Sequence, residues 1–267
     1  MDSLTEQYID LDRFPFVPSG TPEWQRLVDI HKNALEANGA SIMKGVIKQD
    51  ILKRMATEAD IVLPESYACR DFHNPFLDKD DLSLPDNHPR RQKQATSLNS
   101  IPYDIISPSH ALHQLYNWNP LKEFLSAVLG HKLYSMADPM AALTINVMEE
   151  GQNHGWHYDE SQVTITLMIQ EPESGGIFEC VPDLRNEDND KYSKLGSILG
   201  GAEDGILSLP VEPGDILIFA GFYSLHRVTP VVGNKTRYVA TLCYKDRPGV
   251  MNSPEVQQIF YGRVNQG

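Results

Sequence analysis

From Ala141 onward the chain breaks into seven short β-prone runs, AALTINVM, WHYD, QVTITLMIQ, GIFECV, ILSL, DILIF and RYVATLCY. They are divided by EEGQN, ESGG, VEPGD and VVGNK, whose Gly, Pro, Asn and acidic residues are turn chemistry. Many short strands with hairpin-like turns bury their apolar faces by closing into an antiparallel sandwich or barrel. The first half has a different texture. Residues 22–37 place Trp24, Leu27, Val28, Ile30, Ala34 and Leu35 at near-helical spacing, with Thr21 as expected cap, Pro22 as first helical residue and Gly39 as stop. ASIMKGVI (40–47) then alternates like a strand, Asp50 is expected to cap a second helix, and Asn119 with Pro120 to open a third that ends at Gly130. The fold class is therefore α+β, with N-terminal helices buttressing a C-terminal β-barrel.

No repeat, low-complexity tract or pooled Gly/Pro linker divides the 267 residues, so a single domain, 1–267, is expected. Within it, 1–140 is read as mainly helical with a long polar loop at 70–105. Residues 141–247 form the barrel core, broken by a charged insertion at 183–206 long enough to cross between sheets, and 248–267 form a tail. A net charge of -13 and a pI near 5.1 provide no field for a phosphate backbone, which argues against nucleic acid. The three cysteines, Cys69, Cys180 and Cys243, make neither a disulfide framework nor a CxxC metal site. No run approaches the roughly 18 apolar residues of a membrane span and the acidic start is unlike a secretory leader, so a soluble cytoplasmic protein is expected.

The chemistry concentrates at His157-Tyr158-Asp159. Side chains two apart on a strand share a face, so the imidazole and the carboxylate project into one space and Tyr158 into the other. A facial triad of two histidines and one carboxylate, which leaves positions of ferrous iron open, needs one more imidazole. His226 follows 69 residues later, after the turn and strand PGDILIF. Arg237 lies a further 11 residues on, where its guanidinium can grip a dicarboxylate deeper in the barrel through two parallel hydrogen bonds. An HxD pair alone is weak evidence; the conjunction of HxD, distal histidine and arginine is not.

With these residues in place, the chain resembles the iron(II)- and 2-oxoglutarate-dependent oxygenases, whose core is a double-stranded β-helix, a jelly-roll or cupin-like barrel, with the order HxD, His, Arg. The resemblance is strongest from Ala141 to Tyr244. WHYDESQVTITLMIQEPESGGIFECVPDLR and PGDILIFAGFYSLHRVTPVVGNKTR are similar to a bacterial subgroup of free-amino-acid hydroxylases and halogenases. It implies His157, Asp159 and His226 as iron ligands and Arg237 as partner of the 2-oxoglutarate C5 carboxylate, with Asn146 hydrogen-bonding the same cosubstrate. O2 is the second cosubstrate. Halogenases of the subgroup carry Gly or Ala where this chain has Asp159, so hydroxylation of a small molecule is expected. Desaturation or ring closure, which share the oxidising intermediate, are the alternatives, followed by a non-catalytic ligand-binding barrel. His154 and Glu160, flanking HxD, are candidate substrate contacts equally readable as solvated loop residues; Arg90 and Arg91, in the long loop, are candidates for clamping a substrate carboxylate, though exposed loop charge is the more ordinary reading of them.

Overall fold

The computed structural model describes residues 5–186 and 189–266. Eleven strands build two facing antiparallel sheets: β1 (Ala40–Met43), β2 (Tyr67–His73), β3 (Gln94–Ile101), β4 (Leu143–Met148), β5 (His154–His157), β6 (Thr164–Gln170), β7 (Phe178–Val181), β8 (Leu207–Leu209), β9 (Ile216–Phe219), β10 (Leu225–Val228) and β11 (Arg237–Leu242). The larger sheet runs β1-β9-β6-β11-β4-β3-β2 and the smaller β8-β7-β10-β5. The eight strands from β4 to β11 therefore divide equally between the sheets, which is the double-stranded β-helix that the family resemblance implies.

Two-residue periodicity explains why this barrel has an interior that can do chemistry. On β4, β6, β9 and β11 the residues Leu143, Ile145, Val147, Ile165, Leu167, Ile169, Ile216, Ile218, Tyr238, Ala240 and Leu242 point outward into the main core. There they meet Trp24 and Val28 of helix α1 (Pro22–Asn38), Ile51 and Met55 of α2 (Gln49–Val62), and Phe124 and Leu125 of α3 (Asn119–Leu129). With one face of the sheet sealed by helices, the alternate residues, including Asn146, Thr164, Thr166, Arg237, Val239 and Thr241, are turned into the barrel.

Thr21 does cap α1, its hydroxyl accepting from the Trp24 N–H, and Gly39 ends it at φ 67°. The other two helices begin earlier than the sequence suggests. Lys48 rather than Asp50 holds the cap position of α2, leaving Asp50 in the first turn, where the helix dipole favours a carboxylate. Trp118 rather than Asn119 precedes α3, and Gly130 closes it as expected.

Three other expectations need correction. Residues 70–105 are not one loop: β2 and β3 pair antiparallel, Tyr67 opposite Ser100, and only the excursion 74–93 between them lacks strand. β2 forms the edge of the larger sheet, where Arg70 is exposed and Asp71 half-buried, so its pattern reads as loop. The insertion 183–206 does not cross between sheets. It joins β7 to β8, neighbours in the smaller sheet, and its helix α4 (Tyr192–Leu199) seats Leu195 and Ile198 on the outside of that sheet against Trp156, Tyr158, Val181 and Leu225. Residues 248–267 contain helix α5 (Pro254–Tyr261), capped by Ser253, whose Val256, Phe260 and Tyr261 help to wall the barrel mouth.

Candidate metal centre

Strand pairing brings the two distant histidines together. β5 and β10 are antiparallel neighbours with His157 directly opposite His226, their ring centroids 4.1 Å apart. Both rings are buried. His157 Nδ1 lies 2.8 Å from the Gly155 carbonyl and His226 Nδ1 lies 2.9 Å from the Ser224 carbonyl. A carbonyl only accepts, so each Nδ1 carries the proton and each Nε2 presents a lone pair. Those Nε2 atoms approach Asp159, His157 at 3.7 Å from Oδ1 and His226 at 3.5 Å from Oδ2. One ligand atom from each of the three residues falls within 4.8 Å of the others. Among the described residues they form the one group of three or more such side chains with this geometry.

Asp159 sits just beyond the end of β5, and three contacts fix it. Its N–H donates to the Gly221 carbonyl at 3.1 Å, its Oδ2 accepts from the Thr164 hydroxyl, and Gly221 leaves the space its carboxylate fills. A Cβ on Gly221 would stand 2.2 Å from Asp159 Oδ2. Burial pushes the Asp159 carboxyl up, but His226, His157 and the Thr164 hydroxyl outweigh it and hold it well below the usual carboxylate range. Burial, reinforced by His226, drives His157 well below its ordinary value, so it is neutral near pH 7. Two imidazoles and one carboxylate are the donor set that suits ferrous iron with open positions.

Arg237 opens β11 opposite Met148 and turns into the same chamber. It is 4% exposed, no carboxylate lies within 4.0 Å of it among the described residues, and its Nε has no hydrogen-bond partner. Burial alone lowers it to about 10, so it remains a cation at pH 7. Gly176, where a Cβ would come within 2.8 Å of Arg237 Cδ, leaves room for the stem. Asn146 lines the chamber on β4, its amide donating to Thr241 Oγ1 at 3.2 Å.

His154 stacks on His157, centroids 3.8 Å apart, with its Nε2 buried and unpartnered. It lines both the metal chamber and an adjoining one bounded by Thr144, Glu160, Ser161, Asn252 and Tyr261. Glu160 is exposed at the rim of that second chamber, where its Oε2 accepts from the Ser253 N–H. Arg90 and Arg91 do not join the site. Arg90 pairs with Asp78 and Asp190 over the Phe76 ring, and Arg91 with Asp80 and Asp86, within the 74–93 excursion and its neighbour. Trp156 is packing, buried under Arg227 on the outer side of the smaller sheet.

Two contributors escape sequence reasoning, Gly221 and His73, as does the role of a third, Thr164. The His73 ring meets His154 and His157 edge-on, and its Nε2 accepts from Thr96 while Nδ1–H donates to the Asn74 carbonyl. No sequence signal marks His73, because it belongs to the edge strand β2. Thr164 and Thr166 are legible as facing the pocket, but nothing in the sequence links Thr164 to Asp159.

Residues 23–255 match the family model described as Halogenase D. No curated protein matches the chain in sequence. Among solved structures the chain is similar to a prolyl hydroxylase from Trichoplax adhaerens, solved with a hypoxia-inducible-factor peptide, at 14% identity and TM-score 0.55 over 84% of this chain and 91% of that one. It is also similar to SnoN, a non-heme α-ketoglutarate-dependent epimerase of nogalamycin biosynthesis (12% identity, TM-score 0.59, 83% and 82% covered). A third is AviO1 from Streptomyces viridochromogenes Tue57 (13% identity, TM-score 0.57, 85% and 97% covered). At such identities these structures share the fold. Among the described residues no helix is long and apolar enough to cross a membrane.

Proposed function

The chain belongs to the halogenase D family, and on that premise we propose that it is an iron(II)- and 2-oxoglutarate-dependent hydroxylase of an unactivated aliphatic C–H in a small molecule, a free amino acid or close relative. The observation that carries this reading is a buried arginine without an acidic partner, Arg237, in one chamber with two lone-pair-presenting histidines and a carboxylate. A lone buried guanidinium is costly unless a ligand neutralises it, and a dicarboxylate such as 2-oxoglutarate does so at one end while leaving the other for the metal.

When bound, iron with 2-oxoglutarate and O2 supplies the oxidising power, and the co-products are succinate and CO2. The chain's own part is positioning. His157, Asp159 and His226 would hold the metal, and the Gly155 and Ser224 carbonyls accept from Nδ1 of both imidazoles, which leaves each Nε2 toward the metal position. Arg237 anchors the cosubstrate from the larger sheet, with Asn146 beside it. Val239, Met168, Phe178 and Phe219 keep the chamber dry, which strengthens every charge interaction inside it. The second chamber, which His154, His157 and Asp159 also line, would receive the substrate.

The family's name raises halogenation as the rival outcome. Asp159 supports hydroxylation, since its carboxylate occupies the position a halide needs and Thr164 and Gly221 hold it there. The test is succinate formation under air with added iron across free amino acids and related small metabolites, with products examined by mass spectrometry in chloride-rich and chloride-free buffer. A product heavier by one oxygen, identical in both buffers, is expected. A product with the chlorine isotope pair overturns the hydroxylase assignment, and the absence of substrate-stimulated succinate across the library overturns the small-molecule one.

A further inference from the structure

Two of the three candidate metal ligands share one turn. Between β9 and β10 the four carbonyls of residues 221–224 each have a partner. Gly221 accepts from the Asp159 N–H at 3.1 Å, Phe222 from Arg185 Nε at 2.5 Å, Tyr223 from the Arg185 N–H at 3.1 Å, and Ser224 from His226 Nδ1 at 2.9 Å. Arg185 therefore holds the middle of a turn whose two ends orient Asp159 and His226. The same guanidinium reaches back to the Asp159 carbonyl, with Nη2 at 3.5 Å, and lies 3.6 Å from the centre of the Phe222 ring and 4.5 Å from that of Tyr158. Its segment is anchored just before it, where Leu184, 1% exposed, packs in one cluster with Trp156 and Tyr158 on the outside of the smaller sheet.

Asp159 lies beyond the end of β5, so no ladder of strand bonds fixes its backbone, yet metal–ligand distances tolerate only about 0.2 Å. A guanidinium suits the task of fixing it. Its donors point in set directions within one plane, so it can span two carbonyls and hold their separation, which an ammonium on a flexible stem does not. We propose that Arg185 is a positioning residue for the metal centre, pinning the 221–224 turn to the Asp159 carbonyl and so setting where the Asp159 carboxylate stands relative to His226. Arg185 lines neither the metal chamber nor the second one, so it acts through the two ligand-bearing segments.

The proposal rests on the iron reading above. Its test is anaerobic iron(II) titration of the full chain with saturating 2-oxoglutarate, followed by the visible absorption of the complex, well below the melting temperature of each metal-free variant. Arg185→Met keeps a long stem and loses the fork; iron affinity should fall by about 10- to 100-fold, the usual loss when a group that orients metal ligands is removed. Arg185→Lys keeps the charge beside the Phe222 ring and should recover only part of that loss. Arg90→Met is the control. Arg90 ties the same insertion to the 74–93 excursion through Asp190 and Asp78 but bonds neither Asp159 nor the 221–224 turn, so its loss should leave iron affinity within about twofold of wild type even if the melting temperature drops.

Wild-type iron affinity in folded Arg185→Met overturns the proposal, and a lowered melting temperature alone would then mark Arg185 as a structural tether. Full recovery in Arg185→Lys would show that charge rather than the fork matters, and equal losses in Arg185→Met and Arg90→Met that any loosening of the insertion suffices; either result overturns it too. If Arg185→Met does not fold, Arg185→Lys decides: an affinity several-fold below wild type is expected, and one equal to wild type is fatal. A wild type that forms no band with iron(II) and 2-oxoglutarate would instead refute the iron reading itself.

Discussion

Gly221→Ala is the sharpest test of how the metal centre is held. Gly221 does not have a positive φ, so alanine is compatible with its backbone and the substitution acts through space alone. The new Cβ would stand 2.2 Å from Asp159 Oδ2, 2.9 Å from Asp159 Cγ and 2.7 Å from Thr164 Oγ1, whereas ordinary contact begins at 3.4 Å. The carboxylate oxygen must retreat by the difference, 3.4 − 2.2 = 1.2 Å. Metal–ligand distances tolerate about 0.2 Å, so Asp159 cannot retreat that far and still bind as before. Because the Thr164 hydroxyl is crowded by the same methyl, the hydrogen bond that orients the carboxylate is lost as well. Iron(II) affinity should fall by about 10- to 100-fold, the usual loss when support around a metal site is removed. The assay is anaerobic iron(II) titration in the presence of 2-oxoglutarate, read by the visible absorption of the complex, with thermal unfolding of the metal-free protein alongside. Iron affinity within about twofold of wild type, with the fold intact, would refute the view that Gly221 makes room for a metal-binding carboxylate.

Arg237→Lys keeps a cation but loses the planar fork, so 2-oxoglutarate binding should weaken by about 10- to 100-fold while iron binding without cosubstrate is spared; parallel titrations of the two check it. Thr164→Val removes the donor to Asp159 at nearly constant volume and should weaken iron less than Gly221→Ala does, which ranks the two supports. Stability should decline on mild acidification. Burial holds His31 and His73 below their ordinary value of 6.5, so between that value and their lowered native ones the unfolded chain binds more protons, and stability is lost as pH falls below about 6.5. Each such proton contributes a slope of up to about 1.4 kcal/mol per pH unit, and urea unfolding of metal-free His73→Gln from pH 7.5 to 5.5 should show a shallower dependence than wild type.

What could be read in the sequence follows the range over which each signal acts. The barrel strands are legible because alternation is local and turn residues punctuate it, and the HxD pair because two residues on one strand need no partner to share a face. The order of His226 and Arg237 is legible by resemblance, but their convergence with His157 is a property of strand pairing, which no single segment contains. The edge of the larger sheet fails for the opposite reason: the edge strand β2 and its neighbour β3 carry Arg70, Asp71, Ser97 and Asn99, polar residues that break the apolar alternation. The same holds for Arg90 and Arg91, whose acidic partners Asp78, Asp80 and Asp86 lie in the same loop and can be recognised only once that loop is folded back on itself. Gly221 and the bond from Thr164 to Asp159 are invisible in sequence because their importance is a distance to one carboxylate.

The three candidate metal ligands differ in what they ask of the scaffold. His157 and His226 face one another across the ladder between β5 and β10, each with its Nδ1 against a backbone carbonyl two residues before it. Asp159 hangs beyond the ladder on a hydroxyl and a glycine. Losing a histidine removes a ring packed against its partner in the middle of the site, whereas losing the carboxylate empties a niche beyond the ladder. A barrel built this way is modular at one coordination position: its third ligand can be exchanged by drift at a single codon while the frame that presents the other two stays folded, so outcomes as different as oxygen insertion and halide transfer can be sampled by one architecture without passing through an unfolded ancestor.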